Sequence, residues 1–402
     1  MDSMTPPDLD PRFLPLAQWL VEAGERARGV GVVLEGYAAR LVGAGLPLVR
    51  ASTHIQTLHS ERTGIGRVWR VGEGAVEQHY DYSTDVDRAY DASPIKTVRE
   101  SRKWLSIRPQ VEDAPYSILP DLKADGITHY LVGPVFYSDG DVQTVTFSTR
   151  LPEGFPEADV RLLKRLQGIY SRALEIKTLR RMLNEVLSIY VGREPGGRIL
   201  AGQVRRGDVT QLAAAMLYVD LRGFTQLSNE MDDAALVALL NRYFDCFVPP
   251  VVANGGEVLK FIGDAVLAIF PQPEGEAPVK EPRLRALAAA ERGLASLRAL
   301  NARPRPADAP LRAGVALHLG RVAYGNVGSV ERQDFTVIGR DVNLVSRLAA
   351  LCGRTDQALL MSTRFAQGLK RDLRPMGPFR LKGFAERQRV YALAEEAAAN
   401  AA

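Results

Sequence analysis

Cysteine is scarce in this sequence, with two residues among 402, Cys246 and Cys352. Both lie in apolar stretches with helical spacing, where a thiol packs like a small hydrophobic side chain. Two such thiols exclude a disulfide-stapled scaffold, and they fit a protein of a reducing compartment.

Long apolar runs are also missing. No window of the sequence approaches the roughly 20 uninterrupted apolar residues of a membrane-spanning helix. The first residues, MDSMTPPDLDPRF, are acidic and rich in proline, whereas a secretory signal is basic and then apolar. We therefore expect a cytoplasmic chain without a membrane span.

A large excess of one charge is absent as well. The 51 Lys and Arg residues nearly balance the 47 Asp and Glu residues, and the formal net charge is +4. No long basic block or basic-aromatic alternation occurs, so a nucleic-acid partner is not expected. At 402 residues, with 46% hydrophobic residues, the chain is predicted to form two globular domains and a connector.

The first part of the chain, residues 1–156, has the pattern of a small α/β domain. Residues 13–46 show helical apolar spacing, and residues 51–149 consist of short alternating runs such as VQTVTFST (142–149). This helix–sheet–helix layout resembles sensor domains of the GAF/PAS type in outline. We expect a regulatory domain that responds to a small-molecule or protein ligand, whose identity the sequence does not specify.

Four of the five histidines lie in this first part: His54, His59, His79 and His129. None lies at a recognised ligand spacing, so dispersed structural histidines are the favoured interpretation. A metal or haem site is the alternative.

Residues 157–207 are predicted to form a helical connector and a linker. Apolar residues recur every seven positions from Leu162 to Tyr190, and a second series interleaves with them. Such a seam is typical of a parallel two-helix coiled coil. A single helix packed on its own sheet is the alternative, which Arg180 inside the seam favours.

From residue 208 to residue 402, helices alternate with short strands. This pattern predicts an α+β domain with a mostly antiparallel sheet of the ferredoxin-like type. Its last two strands are predicted at 378–382 and 388–394. Polar residues interrupt the pattern at four places where burial or a turn is expected.

The first two places contain carboxylates at strand ends. In YVDLRGFT (218–225) an apolar strand ends on Asp220, and a turn follows before Phe224 and Thr225. In KFIGDAVLAIF (260–270), Lys260 and Asp264 interrupt an otherwise apolar hairpin. Mg²⁺ prefers one or two carboxylates together with substrate phosphates, and the backbone amides of the turn can hold a phosphate.

The other two places contain cationic side chains. In TVIGRDVNLVSRL (336–348), Asn343 and Arg347 are four residues apart and therefore share one face of a helix. A guanidinium suits a phosphoryl group because it donates several hydrogen bonds at once. In FRLKGF (379–384), Lys382 lies beside a glycine near a strand end. Taken singly, each of these residues also fits a solvated turn or helix face.

Together, YVDLRGFT, KFIGDAVLAIF, TVIGRDVNLVSRL and LKGF resemble the class III nucleotidyl cyclase catalytic domain, over about residues 190–395. The resemblance implies an adenylate cyclase that converts ATP to 3′,5′-cyclic AMP and pyrophosphate. It also implies a homodimer whose two active sites are each shared between the subunits.

The resemblance assigns a role to each motif residue. Asp220 and Asp264 would bind two Mg²⁺ or Mn²⁺ ions. Phe224 and Thr225 receive no role from the resemblance, but their turn after Asp220 predicts that they bind substrate. Lys260 and Thr336 would recognise the purine, and Asn343 would orient the ribose. Arg347 would stabilise the charge at the α-phosphate, and Lys382 would bind the terminal phosphates.

Two alternatives stay open. A guanylate cyclase is one, although lysine at position 260 accompanies adenine in the family and glutamate would suit guanine. Threonine at position 336 marks a subgroup that includes bicarbonate-responsive cyclases, so activation by bicarbonate is a hypothesis. The second alternative is a catalytically weak cyclase fold that serves as a regulatory or dimerisation module, but such a module would normally lack metal or arginine positions.

Overall fold

The structure is a computed structural model that describes residues 10–57, 62–272, 280–303 and 310–394. The chain divides into two compact units, Met1–Val186 and Leu187–Ala402. Each unit is built around one β-sheet.

The first unit contains helices before, between and after its strands. Its described elements are α1 (Phe13–Arg26), α2 (Val30–Gly43), β1 (Arg50–Gln56), β2 (Arg62–Arg70), β3 (Gly74–Asp81), α3 (Thr84–Asp91), α4 (Pro94–Ser101), β4 (Leu105–Ile107), α5 (Leu119–Ala124), β5 (His129–Phe136), β6 (Val142–Thr149) and the long α6 (Glu157–Tyr190). The helical stretch predicted at 13–46 is divided at residues 27–29, where Gly29 has low helix propensity.

The sheet of the first unit is antiparallel, with strand order β3-β2-β1-β6-β5-β4. One face packs against α1, α2 and the first half of α6, in a core that includes Leu34, Tyr37 and Phe147. On the other face a smaller apolar cluster surrounds Tyr130 and includes Val98 of α4. The α/β character predicted for this part is therefore present.

Helix α6 begins and ends where the heptad pattern predicts a helix. Leu162, Leu166 and Ala173 of the predicted seam are buried in the core of the first unit, as the single-helix alternative expects. Ile176 and Leu183, further along the helix, are about half exposed. A coiled coil formed by this helix is therefore restricted to its second half.

The histidines of the first unit have side-chain partners within the protein. His129 lies 2.9 Å from the Ser106 hydroxyl, and both His54 and His79 also have polar partners. His59 lies outside the described residues. In the described ranges, no group of three or more His, Cys, Asp or Glu side chains could hold a metal ion.

The second unit contains the predicted alternation of helices and strands. Its described elements after the end of α6 are α7 (Arg193–Leu200), β7 (Val209–Leu221), α8 (Phe224–Glu230), α9 (Asp233–Ala253), β8 (Glu257–Ile262), β9 (Ala265–Pro271), α10 (Lys280–Asn301), β10 (Ala313–Gly328), β11 (Gln333–Ile338), α11 (Arg340–Thr355), β12 (Leu359–Ser362), α12 (Thr363–Ala366), β13 (Leu373–Phe379) and β14 (Gln388–Leu393).

The sheet of the second unit has strand order β13-β14-β12-β10-β7-β9-β8, and β11 pairs with β10. Side chains alternate along the central strand β7, because successive residues of a strand point to opposite faces. Leu217 and Val219 pack against α9 and α10 on one face. Met216 packs against α11 on the other. The unit is thus a mixed α+β layer structure.

Two strands differ from the sequence prediction. The strand predicted at 378–382 is β13 and ends at Phe379, so Lys382 lies in the turn that follows it. Pro375 and Pro378 obscure this strand in the sequence, but β13 is an edge strand, where proline is tolerated. Strand β11 was not predicted as a separate element. Most of the predicted proline-rich loop at 271–282 lies outside the described residues.

Helix α9 is the one described helix that is long and apolar enough to cross a membrane by length and composition. Its buried residues include Tyr243, Phe247 and Val251, which belong to the core beneath the sheet. Packing of this face against the sheet and α10 accounts for part of the apolar composition of the helix, whereas Val237 and Val252 are about half exposed.

Helices α9 and α10 approach each other closely at Gly293, where an added Cβ would overlap the buried Phe247 ring. We expect Gly293→Ala to lower the stability of the second unit by about 1–3 kcal/mol, because overpacking outweighs the gain in helix propensity. Gly353→Ala in α11 is the matched control, since its Cβ would meet no atom within 4 Å. This control should be neutral or stabilising by up to about 1 kcal/mol. Urea unfolding of both variants measures the difference, and a stabilised Gly293→Ala protein would contradict the packing.

Candidate active site

Asp220 and Asp264 meet at one edge of the second sheet. Asp220 is the penultimate residue of β7, and Asp264 lies in the turn between β8 and β9. Because β7 and β9 pair antiparallel up to Val219 and Val266, the end of one strand lies beside the beginning of the other. The left-handed backbone of Gly263, with φ of +63°, forms the turn that presents Asp264.

The electrostatics of this pair are those of two carboxylates without a counter-charge. Burial and the neighbouring Asp264 carboxyl raise the pKa of Asp220 to about 6. Burial also raises the pKa of Asp264, although the backbone amides of Asp264 and Leu221 oppose this. Within the described ranges, neither aspartate forms an ion pair with a Lys, Arg or His side chain. The arrangement is therefore one that a bound cation would stabilise.

A cavity of about 530 Å³ opens beside the two aspartates. Gly223, Phe224 and Thr225, at the start of α8, line it together with both aspartates. The structure thus brings together four of the residues that the sequence singled out: Asp220, Phe224, Thr225 and Asp264.

Two arginines that sequence reasoning missed also line this cavity. Arg222 follows β7, and Arg312 precedes β10. Both form ion pairs with the Asp356 carboxylate, which lies after α11. The Asp356 carboxylate therefore pairs with two arginines that line the same cavity as the aspartate pair. Because Arg222 and Arg312 are 90 residues apart, nothing in the sequence indicated that they lie close together.

Lys260 and Thr336 do not line this cavity. The strands that carry them, β8 and β11, lie close together. The Lys260 Nζ lies 2.9 Å from the Asp334 carboxylate of β11, two residues before Thr336. Alternate residues of a strand share a face, so Asp334 and Thr336 point to the same side of β11. The Thr336 side chain is 5% exposed, and its hydroxyl has no hydrogen-bond partner among the described residues. Asp334 was not identified from the sequence.

Asn343 and Arg347 lie on the exposed face of α11, as their spacing predicts. The opposite face, with Leu344 and Leu348, packs against the sheet. Neither Asn343 nor Arg347 lines the cavity beside the aspartates. The Arg347 guanidinium acts on the pKa of Tyr218 but is not among the causes that shift the pKa of either aspartate.

A buried polar cluster fixes the first turn of α11. His318 of β10 lies 2.6 Å from the Ser362 hydroxyl through Nδ1 and 3.4 Å from the Asp341 carboxylate through Nε2. Asp341 also accepts a hydrogen bond from the Arg321 amide, at 2.9 Å. Burial would raise the pKa of Asp341, but these partners outweigh it and hold the pKa below its usual range. The cluster orients the helix that carries Asn343 and Arg347, and it escaped sequence reasoning because its members come from three separate segments.

Lys382 is exposed in the turn after β13, next to Gly383, whose φ is +87°. It belongs to a shallow surface formed by residues 380–385 and does not line the cavity beside the aspartates. In a single chain, therefore, the predicted site residues form separate groups.

Comparison with known proteins extends over the second unit. Residues 210–395 match the family described as the adenylate and guanylate cyclase catalytic domain. An uncharacterized protein of Mycobacterium tuberculosis is 32% identical over 206 residues, which are 51% of this chain and 34% of that protein. Adenylate cyclase 1 of Rhizobium meliloti is 29% identical over 226 residues, which are 54% of this chain and 33% of that protein. The match thus spans about a third of the length of these curated relatives.

Among solved structures, a bacterial light-regulated adenylyl cyclase is 28% identical, with a TM-score of 0.41. The alignment covers 46% of this chain and 92% of that one. The family match assigns residues 210–395 to the adenylate and guanylate cyclase catalytic domains, the class III nucleotidyl cyclases.

Proposed function

We propose that this protein converts ATP to 3′,5′-cyclic AMP and pyrophosphate as a homodimer, with its N-terminal part as a regulatory domain. The observation that carries the proposal is the Asp220–Asp264 pair, which lies without a counter-charge beside a cavity in a cyclase domain. The strand order β10-β7-β9-β8, with α9 and α10 on one face, supports the ferredoxin-like core that the family resemblance implies.

Divalent cations fit the residues present. Asp220 and Asp264 offer carboxylate oxygens, the ligands that Mg²⁺ and Mn²⁺ prefer, and substrate phosphates would complete the coordination. When bound, the two cations lower the pKa of the ribose hydroxyl and neutralise the negative charge of the phosphates.

The reaction is an in-line displacement within the nucleotide. The 3′ hydroxyl of the ribose gives its proton to water or to a substrate phosphate, and its oxygen forms a bond to the α-phosphorus. The bond from that phosphorus to the bridging oxygen breaks, and pyrophosphate leaves with the electron pair. Asn343 orients the ribose, and Arg347 donates hydrogen bonds to the charge that develops at the α-phosphate. Lys382 binds the terminal phosphates.

The separation of the site residues within one chain supports a homodimer. The aspartates line one cavity, whereas Lys260, Thr336, Asn343 and Arg347 lie outside it. A two-fold axis that placed the second group of one subunit opposite the aspartates of its partner would create two equivalent sites. The exposed second half of α6 can hold two chains in parallel.

Adenine as the base is supported by Lys260 and by the buried, unpartnered Thr336 hydroxyl. The Asp334 carboxylate holds the Lys260 ammonium in place. A guanylate cyclase remains the second candidate because the family contains enzymes of both types. A catalytically weak module is disfavoured, since both aspartates, Asn343 and Arg347 are all present.

Metal binding should depend on the protonation of Asp220. Because its pKa is raised to about 6, protons compete with the cation below that pH. We expect the affinity for Mn²⁺, measured by calorimetry without nucleotide, to fall about tenfold at pH 5 relative to pH 7.5. Asp220→Asn and Asp264→Asn should abolish binding and activity. The control is Asp245→Asn, whose side chain is exposed on α9 and which should preserve both. Equal affinity at the two pH values would contradict a site formed by these carboxylates.

Subunit sharing can be tested by mixing two inactive variants, Asp220→Ala and Arg347→Ala. In a mixed dimer both lesions fall in one site and the other site is intact. With random exchange about half of the dimers are mixed, so activity should recover to roughly a quarter of that of the wild type. A mixture that exchanges subunits, as followed by fluorescence energy transfer, and stays inactive would show that both residues serve one site from one chain.

Base selection should depend on the charge at position 260. Lys260→Glu should lower the ratio of kcat/KM for ATP to that for GTP on the order of tenfold or more, because a carboxylate cannot donate to the adenine edge. The control is Asp334→Asn, which removes the partner but keeps the ammonium and should change the ratio less. An unchanged ratio in Lys260→Glu would assign base reading to other residues.

A further inference from the structure

Strand β8 contains one charged residue besides Lys260, namely Glu257. The register between β8 and β9 shifts at Leu259, and such a bulge interrupts the alternation of side chains along its strand. Glu257 is paired with Ile269 of β9. Lys260 is paired with Leu267, which lies two residues before Ile269 and therefore points to the same face. Glu257 and Lys260 thus share one face of the sheet although they are three residues apart.

Both side chains contact the hairpin formed by β10 and β11. The Tyr324 hydroxyl of β10 donates a hydrogen bond of 2.8 Å to the Glu257 carboxylate. The Lys260 ammonium lies 2.9 Å from the Asp334 carboxylate of β11. Two side-chain contacts therefore connect β8 to this hairpin, one to each of its strands.

Tyr324 also contacts the part of β11 that carries Thr336. The centre of its ring lies 4.8 Å from that of Phe335, in an edge-to-face arrangement. Gly325, the next residue of β10, is directly paired with Thr336. An aromatic pair of this geometry contributes to stability beyond the area that it buries. The hydrogen bond of the Tyr324 hydroxyl thus links β8 to the residues beside Thr336.

Helix α7 covers the pair formed by Glu257 and Tyr324. The Arg198 guanidinium lies 4.9 Å from the centre of the Tyr324 ring and also pairs with Glu194, at 3.0 Å. Ile199 packs against the apolar cluster that contains Tyr324. Tyr324 is 1% exposed, and Glu257 is half-buried. The pair is therefore largely shielded from water.

The ionisation of Glu257 depends on these surroundings. Burial raises the pKa of Glu257 to about 7, although the hydrogen bond from Tyr324 lowers it. From α7, the charge of Glu194 raises this pKa and that of Arg198 lowers it. On its own strand the other charged side chain is Lys260. Burial and the Glu257 carboxylate raise the pKa of Tyr324, so the donor keeps its proton. Glu257 therefore changes its charge near neutral pH, whereas its donor does not.

The strength of this contact changes with the charge of Glu257. A hydroxyl forms a shorter and stronger hydrogen bond with an ionised carboxylate than with a neutral acid. Above pH 7 the bond from Tyr324 therefore holds β8 more firmly against the β10–β11 hairpin. Below pH 7 it holds β8 less firmly.

We propose that the hydrogen bond between Glu257 and Tyr324 is a positioning contact for base recognition, and that it makes the preference for ATP over GTP depend on pH. Both residues act through Lys260 and through the strand that carries Thr336, rather than on the nucleotide itself. This inference rests on the base-reading roles of Lys260 and Thr336 in the proposed function. The preference is highest above pH 7, where Glu257 is ionised.

Binding of nucleotide analogues to the full chain tests the contact. The probes are α,β-methylene ATP and α,β-methylene GTP, which bind without turnover because carbon replaces the oxygen whose bond would break. Their dissociation constants are measured with Mn²⁺, by displacement of a fluorescent ATP analogue, at pH 6.0 and pH 8.0. The ratio of the two constants removes effects common to both nucleotides, such as metal binding at Asp220. The preference for the ATP analogue should be about threefold or more lower at pH 6.0.

Two variants and a control assign this pH dependence. Glu257→Gln keeps the shape of the side chain but cannot ionise, so its preference should equal the low value of the wild type at both pH values. Tyr324→Phe removes the donor and should have the same effect. The control is Glu331→Gln, the same substitution at an exposed position between β10 and β11, which should retain the pH dependence of the wild type.

Thermal denaturation tests the ionisation of Glu257 independently of base recognition. Because its pKa is raised by burial, Glu257 stabilises the fold in its neutral form, and this contribution is lost as the pH rises through about 7. The Tm of Glu257→Gln relative to that of the wild type should therefore rise between pH 6.0 and pH 8.0. The Tm of Glu331→Gln relative to the wild type should stay constant.

Equal preference at both pH values in the wild type, or the same pH dependence in wild type, Glu257→Gln and Tyr324→Phe, would overturn the positioning contact. A relative Tm of Glu257→Gln that does not change with pH would overturn its ionisation in this range. A chain that shows the expected preference and makes no cyclic AMP under any metal condition contradicts the proposed function but not the contact. Cyclic AMP formation with a preference that is insensitive to pH and to both variants contradicts the contact alone.

Discussion

The antiparallel pairing of β7 with β9 is the contact on which the proposed chemistry depends. It places two carboxylates side by side at a sheet edge, although 43 residues separate Asp220 from Asp264 along the chain. The cost is electrostatic, since burial and mutual repulsion raise the pKa of Asp220. The apolar residues of both strands, such as Val219 and Val266, belong to the core and offset that cost by burial.

The two faces of the second sheet are covered by different helices. Helices α9 and α10 cover one face and form the larger core. On the other face α11 buries Leu344 and Leu348 and presents Asn343 and Arg347 outward. The His318 cluster fixes the first turn of that helix, so buried hydrogen bonds orient the helix that carries these exposed side chains.

Much of the catalytic unit could be predicted because its motifs are local. Asp220, Lys260 and Asp264 each lie in a short segment whose apolar pattern contradicts their polarity, and Asn343 and Arg347 lie four residues apart on one predicted helix face. Asp334, His318 and Arg312 could not be found this way, because their significance depends on partners brought close only by folding. The segment with the heptad seam was predicted correctly as a helix. Periodicity alone, however, does not show whether its apolar stripe packs against a partner helix or against the sheet of its own chain.

Strand β10 changes partners along its length, and this separates two parts of the proposed active site. Its residues Ala313–Gly325 pair with β7, whereas its other edge pairs first with β12 and then with β11. Strand β11, with Asp334 and Thr336, is therefore paired with the distal part of β10, outside the main path of the sheet, and the Lys260–Asp334 ion pair links it to β8. If Thr336 reads the base as proposed, base recognition and the aspartate edge belong to different strands. Such a layout would let nucleotide preference diverge during evolution while the proposed phosphoryl chemistry is retained, within a family that contains both adenylate and guanylate cyclases.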